Sequence, residues 1–198
     1  MTRTFAVLWR QPTLLLGVAS AVLAAGTMLA MMTAGPIMGM TVGHTAAEAA
    51  LAIQQHLVGM YAPGFLVARL MAQVGERRIA LAGAALMVIA GIAAADSTAL
   101  PAYLIAMFVV GVGWNLAYSG GSALITASYR PAERGRVQPV AEVLIISAQV
   151  AGSLSAAAFT SPSGWHVLGW GCLALAAMVS VVLAFTQVRR SAGETLTR

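Results

Sequence analysis

Residues 51–78 read LAIQQHLVGMYAPGFLVARLMAQVGERR, and the fold turns on them. They belong to an apolar run from about 46 to 70, near the ~20 residues that a bilayer core requires of a helix. The run closes on Arg69, Arg77 and Arg78. Arginines at the end of an apolar run mark a membrane helix that reaches the cytoplasmic face. Gln54, Gln55 and His56 sit mid-run, where polar side chains are expensive unless they face a bundle interior or a wet cavity.

Outward from that stretch, roughly 13–36, 79–95, 101–127, 138–160 and 164–186 are also long and apolar enough to span, giving six in all. All eleven basic residues of the 198-residue chain are arginines, and they alternate with the spans. Arg3 and Arg10 precede the first, Arg69, Arg77 and Arg78 join the second to the third, and Arg130, Arg134 and Arg136 join the fourth to the fifth. Arg189, Arg190 and Arg198 follow the sixth, while the connections at Gly43-His44, Asp96-Ser97 and Ser161-Pro162-Ser163 carry none. Positive loops stay cytoplasmic, so both termini are expected inside, with three outer loops. The domain plan is a cytoplasmic lead-in over 1–12, a six-helix transmembrane bundle over 13–186 and a cytoplasmic tail over 187–198.

Composition agrees. With 60% hydrophobic residues, 9% charged and a mean hydropathy of +0.85, the chain is far from the roughly 25% charge of a soluble domain. A pI near 10.4 would suit nucleic-acid binding, but these arginines sit at helix ends as topology determinants, so the expected environment is the lipid bilayer and no nucleic acid. Cys172 is the lone cysteine, which rules out an internal disulfide, fits no metal pattern and implies no cofactor. The first run is longer than the h-region of a secretory signal and has no convincing small-residue cleavage site, so it reads as a first membrane helix.

The spans differ in polarity. The third and sixth hold no ionisable or amide side chain at hydrocarbon depth and are free to face lipid all round. The second carries Gln54, Gln55 and His56, the fourth Trp114 and Asn115, and the fifth Glu142 and Gln149. At 1.5 Å per residue, His56, Asn115 and Gln149 come about 15, 21 and 16 Å from their helix entries. Polar convergence near the midplane is the layout of a secondary transporter's substrate site. Each group of three spans ends on its least polar helix, and the second group enters from the opposite side, which is the layout of a 3+3 inverted-topology repeat.

The run from Gly43-His44 through Gln54-Gln55-His56 to Tyr61-Ala62-Pro63, then Gly111-Val112-Gly113-Trp114-Asn115, Ser119-Gly120-Gly121 and Tyr129-Arg130-Pro131-Ala132-Glu133-Arg134-Gly135-Arg136, resembles the C-terminal six-helix half of bacterial major facilitator superfamily permeases. The resemblance covers about 10–185. It implies an all-α membrane protein of the bacterial inner membrane whose third helix in each group is peripheral while the others line a cavity. It also implies transport of a small organic solute by alternating access. The family's charged loop signature is eroded: Leu70, Gly75, Arg77 and Arg78 match it, while Ala72 and Gln73 replace the Asp and Arg that pair across helix ends. The resembling permeases have twelve spans, so one six-helix half needs a second, either another copy of this chain as a homodimer or a separate N-terminal half. The alternative is a truncated, non-transporting membrane fragment or scaffold.

On that reading Gln55, His56, Trp114, Asn115 and Gln149 are the candidate substrate-binding residues. Each has a structural counterpart reading. His56 suits protonation in a cycle or a neutral bond to a neighbouring helix, and Asn115 and Gln149 suit solute contact or helix-to-helix bonding. Trp114 suits solute stacking or core packing. Glu142 is expected to pair with Arg134 and Arg136 at the inner interface rather than to carry a proton, and Gly35-Pro36 to break the outer end of the first helix. A rhomboid-like protease pair of Ser122 and His166 fails, because the two residues fall at opposite membrane faces, about 30 Å apart, and Ala123 stands where a glycine belongs. The chain is not expected to be an enzyme.

Overall fold

Prolines and caps fix where the helices begin. In a computed structural model, which describes the backbone of residues 3–196 and the side chains of residues 3–182, a short helix α1 (Phe5–Leu8) leads into α2 (Pro12–Thr41), which opens on a proline in its first turn, where no N–H is needed. Helix α3 (Ala46–Tyr61) starts at a capping box: Thr45 Oγ1 accepts from the Glu48 N–H at 3.2 Å, and the Thr45 N–H donates to Glu48 Oε2 at 2.7 Å. Pro63 ends that run, because it lacks an N–H and its ring crowds the preceding turn, and α4 (Gly64–Val74) restarts beyond it. Gly75, at φ 87°, turns the chain sharply into α5 (Glu76–Asp96) through a conformation that L side chains rarely adopt. Then come α6 (Leu100–Ala127), a 3-10 turn, α7 (Arg134–Ser155), a second 3-10 turn and α8 (Pro162–Leu196).

Six helical runs are long and apolar enough to cross a membrane. Three boundaries differ from those read in the sequence. Helix α2 does not break at Gly35-Pro36 but continues to Thr41, with Gly35 buried beneath Met107 and Trp165, so packing from α6 and α8 holds the helix past its proline. The second span is two helices, α3 and α4, and the residues from 187 to Leu196 continue α8. The last residue, Arg198, lies outside the described residues.

The packing forms two rows. Helices α3, α6, α2 and α7 lie side by side in that order, because α6 packs on both α3 and α2, and α2 on both α6 and α7. Behind them stand α5, against α6, and α8, against α5. The third and sixth spans therefore form the back row, but α5 is not free all round. Its small-residue stripe, including Ala80, Gly83, Ala84, Ala90, Gly91 and Ala94, is buried against α6 and α8. Small residues allow such close backbone approach without any hydrophobic drive between helices in lipid.

Two crossings in the front row correspond. Gly26 and Gly152 bring α2 onto α7, and Gly111 and Gly59 bring α6 onto α3, as expected of two three-helix groups inserted in opposite senses. The back row is less regular. Helix α5 packs tightly on α6, whereas α8 leaves a cavity of about 710 Å³ against α2 and α7, lined by apolar side chains around Leu23, Phe159 and Leu168.

The ends of the bundle sort by charge. At one end the His44 ring Nε2 donates to the Thr98 carbonyl oxygen at 2.9 Å, and the His166 ring Nδ1 to that of Ala95 at 2.8 Å, so the three arginine-free connections meet there. At the other end the residues before α2 meet the arginine-rich loop between α6 and α7 through Arg3 and Glu133.

Candidate functional site

Gln55, His56 and Asn115 lie along one seam between α3 and α6. Gln55 Nε2 donates to the Leu104 carbonyl oxygen at 2.6 Å, His56 Nδ1 to that of Met107 at 2.8 Å, and Asn115 Nδ2 to that of Met60 at 2.7 Å. His56 is fully buried, Asn115 nearly so. Each of the three spends one donor on a backbone carbonyl of the opposing helix. His56 Nε2 and Asn115 Oδ1 remain buried without a hydrogen-bond partner. Such atoms are costly in a packed interior.

Trp114 and Gln149 lie elsewhere. Helices α6 and α7 scarcely touch, since α2 packs against both. On α6 Trp114 stacks on Tyr118, with ring centroids 5.3 Å apart and planes 20° apart. Both are half-buried, and the Trp114 indole N–H is buried without an acceptor. On α7 Gln138, Glu142 and Gln149 fall on one helical face. Gln138 accepts from the Tyr129 hydroxyl at 2.6 Å, and Glu142 lies within electrostatic reach of Tyr118, whose phenol is beside the Ser122 hydroxyl.

Two corrections follow. Glu142 forms no ion pair with Arg134 or Arg136 among the described residues; those arginines are exposed on other faces of the start of α7, and a one-dimensional count of distance along the chain cannot see the face. Tyr118 was missed. Its four-residue spacing from Trp114 is the signal that finds it, since i and i+4 share a helix face.

The carboxylate that does find a cation is Glu133. Arg3 donates to Glu133 Oε1 from its backbone N–H at 2.8 Å and from Nε at 3.1 Å, and to Oε2 from Nη2 at 2.7 Å. The same guanidinium reaches Ser128 O at 3.0 Å and Gln11 Oε1 at 2.8 Å. The bonds to Glu133 raise the Arg3 pKa above its ordinary value. Next to this contact, Leu8 of α1 is buried in a cluster with Leu14, Val137 and Ile145.

Ser122 lies near the arginine-rich end of α6 and His166 at the opposite end of the bundle, so no serine–histidine dyad forms. Cys172 is buried.

Comparison with known proteins agrees with the fold. The Major Facilitator Superfamily profile matches residues 7–197. The chain is 32% identical over 174 residues to "Riboflavin transporter RfnT" of Brucella anthropi, covering 88% of this chain and 44% of that protein. It is 30% identical over 183 residues to the uncharacterized MFS-type transporter YddS of Bacillus subtilis, covering 90% of this chain and 42% of that protein. The chain thus spans less than half the length of these curated relatives. Six apolar helices in two rows, a polar front row and a family match over nearly the whole length together assign this multi-pass membrane protein to the Major Facilitator Superfamily.

Proposed function

We propose that this chain works as one six-helix half, the C-terminal one, of a secondary active transporter that moves a small organic solute across the bacterial inner membrane by alternating access, with both termini cytoplasmic. The observation that carries the reading is the front row. In that row His56 lies on α3, Trp114 and Asn115 on α6, and Gln149 on α7, beyond α2, and polar groups within membrane-length helices mark solute pathways. Gln55, His56 and Asn115 hold α3 on α6 and, through the free Nε2 and Oδ1, keep hydrogen-bonding capacity in reserve for the solute. The riboflavin named for one relative makes a flavin-sized organic solute the first to try.

A second six-helix bundle completes the assembly, either a second copy of this chain or a distinct N-terminal half. The test is flux in vesicles containing this chain with and without an N-terminal six-helix partner. Solute uptake is expected with the pair and not with a cross-linked monomer. Robust uptake by the monomer sinks the two-half reading, and no uptake in any pairing replaces transport with a scaffold role.

A further inference from the structure

We propose that Trp114, Tyr118 and Glu142 form a recognition platform for a planar nitrogen heterocycle that presents a ring N–H at its edge. The inference rests on the transport reading above and names its solute class.

Three observations bear on α6 and α7, the helices on either side of α2. The first is the ring pair on α6. Trp114 and Tyr118 lie nearly parallel at 5.3 Å, a two-ring stack that a third ring would continue at little cost in side-chain ordering. The second is the charge opposite. Glu142 is half-buried four residues, about 6 Å, past Gln138, where the fifth span begins, and its carboxylate has neither an ion pair nor a hydrogen bond among the described residues. An acid inside a span is expensive and is retained where a solute or proton meets it. The third is the indole N–H of Trp114, buried with no acceptor.

These groups select by class. A carboxylate accepts only, so its complement at the solute edge is an N–H. Flat rings favour an aromatic face over a polyol, whose hydroxyls would lie against carbon. The packing beneath the stack repeats that preference, because Tyr118 lies on the apolar cluster that includes Val18, Ala21 and Ala25 of α2. An aliphatic cation would satisfy Glu142 and the ring faces but leave the indole donor unmet.

The test uses the chain in phospholipid nanodiscs with lumichrome, a planar tricycle bearing ring N–H groups, and its 1,3-dimethyl analogue, in which both are blocked. Saturable binding of lumichrome is expected, with quenching of tryptophan fluorescence that is lost in Trp114→Phe. Tyr118→Leu and Glu142→Gln should each weaken it about tenfold, and Tyr118→Phe, which keeps the ring, should stay within about twofold and so separate the platform from a folding defect. The dimethyl analogue should bind about tenfold more weakly and be indifferent to Glu142→Gln. Equal affinity for the two tricycles, equal displacement by tetraethylammonium or ribitol, or no saturable binding overturns the proposal. Flux without lumichrome recognition removes this platform and keeps the transport reading. Lumichrome binding without flux in any pairing does the reverse.

Discussion

Arg3 and Glu133 stand 130 positions apart and are joined by three hydrogen bonds, from the Arg3 backbone N–H, Nε and Nη2 to the two oxygens of one fully buried carboxylate. The contact fastens the segment before α2 to the loop between α6 and α7. That loop belongs to the second group of three spans, so the first and second groups are tied at the arginine-rich end by a residue outside both.

Removing Arg3 leaves the Glu133 carboxylate, buried beneath it, without its cation, and an unpaired charge so placed is poorly solvated. Arg3→Ala is therefore expected to lower the unfolding temperature in detergent more than Arg10→Ala, whose side chain is exposed. The double variant Arg3→Ala with Glu133→Gln should be no worse than Arg3→Ala alone. Additive losses would show that the two residues act separately.

Two positions on α5 separate packing from exposure. A Cβ on Gly83 would fall on the backbone of Ala117, so Gly83→Ala should cost about 1–3 kcal/mol through forced separation of α5 and α6. Ala85, two residues on, is exposed, and Ala85→Leu should stay within about 0.5 kcal/mol. Thermal unfolding of both variants checks the pair, and equal losses would contradict the seam.

The α3–α6 seam separates holding from carrying. Gln55→Ala removes one inter-helix bond and should cost about 0.6 kcal/mol. His56→Ala also deletes a fully buried ring and should cost about 2 kcal/mol or more. In a transporting assembly, His56→Gln should flatten the pH profile of uptake between about pH 5 and 8. An unchanged profile places coupling at another residue.

Orientation is checked by thiol labelling. With Cys172 replaced, single cysteines at Gly43 and Ser161 should react with impermeant reagents from outside intact cells, while one at Ala132 should not. Labelling at Ala132 reverses the topology.

Much of the fold was legible because lipid imposes a length and arginine imposes a side. Those two constraints placed the six spans and their alternation. The Ala62-Pro63 break was legible too, since a proline inside a helical run carries its own warning, yet apolar character alone read straight across it. Pro36 carried the same warning and its helix did not break, because Gly35 sits under Met107 and Trp165; that support comes from helices distant in sequence. The polar residues at depth were visible as a set, but not their division. Gln55, His56 and Asn115 bond backbone carbonyls across one seam while Trp114 joins Tyr118 on another face, and only the azimuth of each helix decides this. The partner of Glu133 could not be read at all, since nothing local links it to Arg3.

The glycine seams of the back row have an evolutionary consequence. Where α5 meets α6 and α8, the crossings at Gly83, Gly91, Gly120 and Gly169 leave no room for even one added methyl group without movement of a neighbouring backbone, so these crossings are all but closed to drift. Helices α4 and α7 are the reverse. The spans that contain them are the least buried, 17% each against 72% for the first, and side chains such as Phe65 and Leu154 have few neighbours to displace. Divergence among descendants of this chain is thereby channelled onto the exposed faces of α4 and α7, while the back-row scaffold is inherited intact.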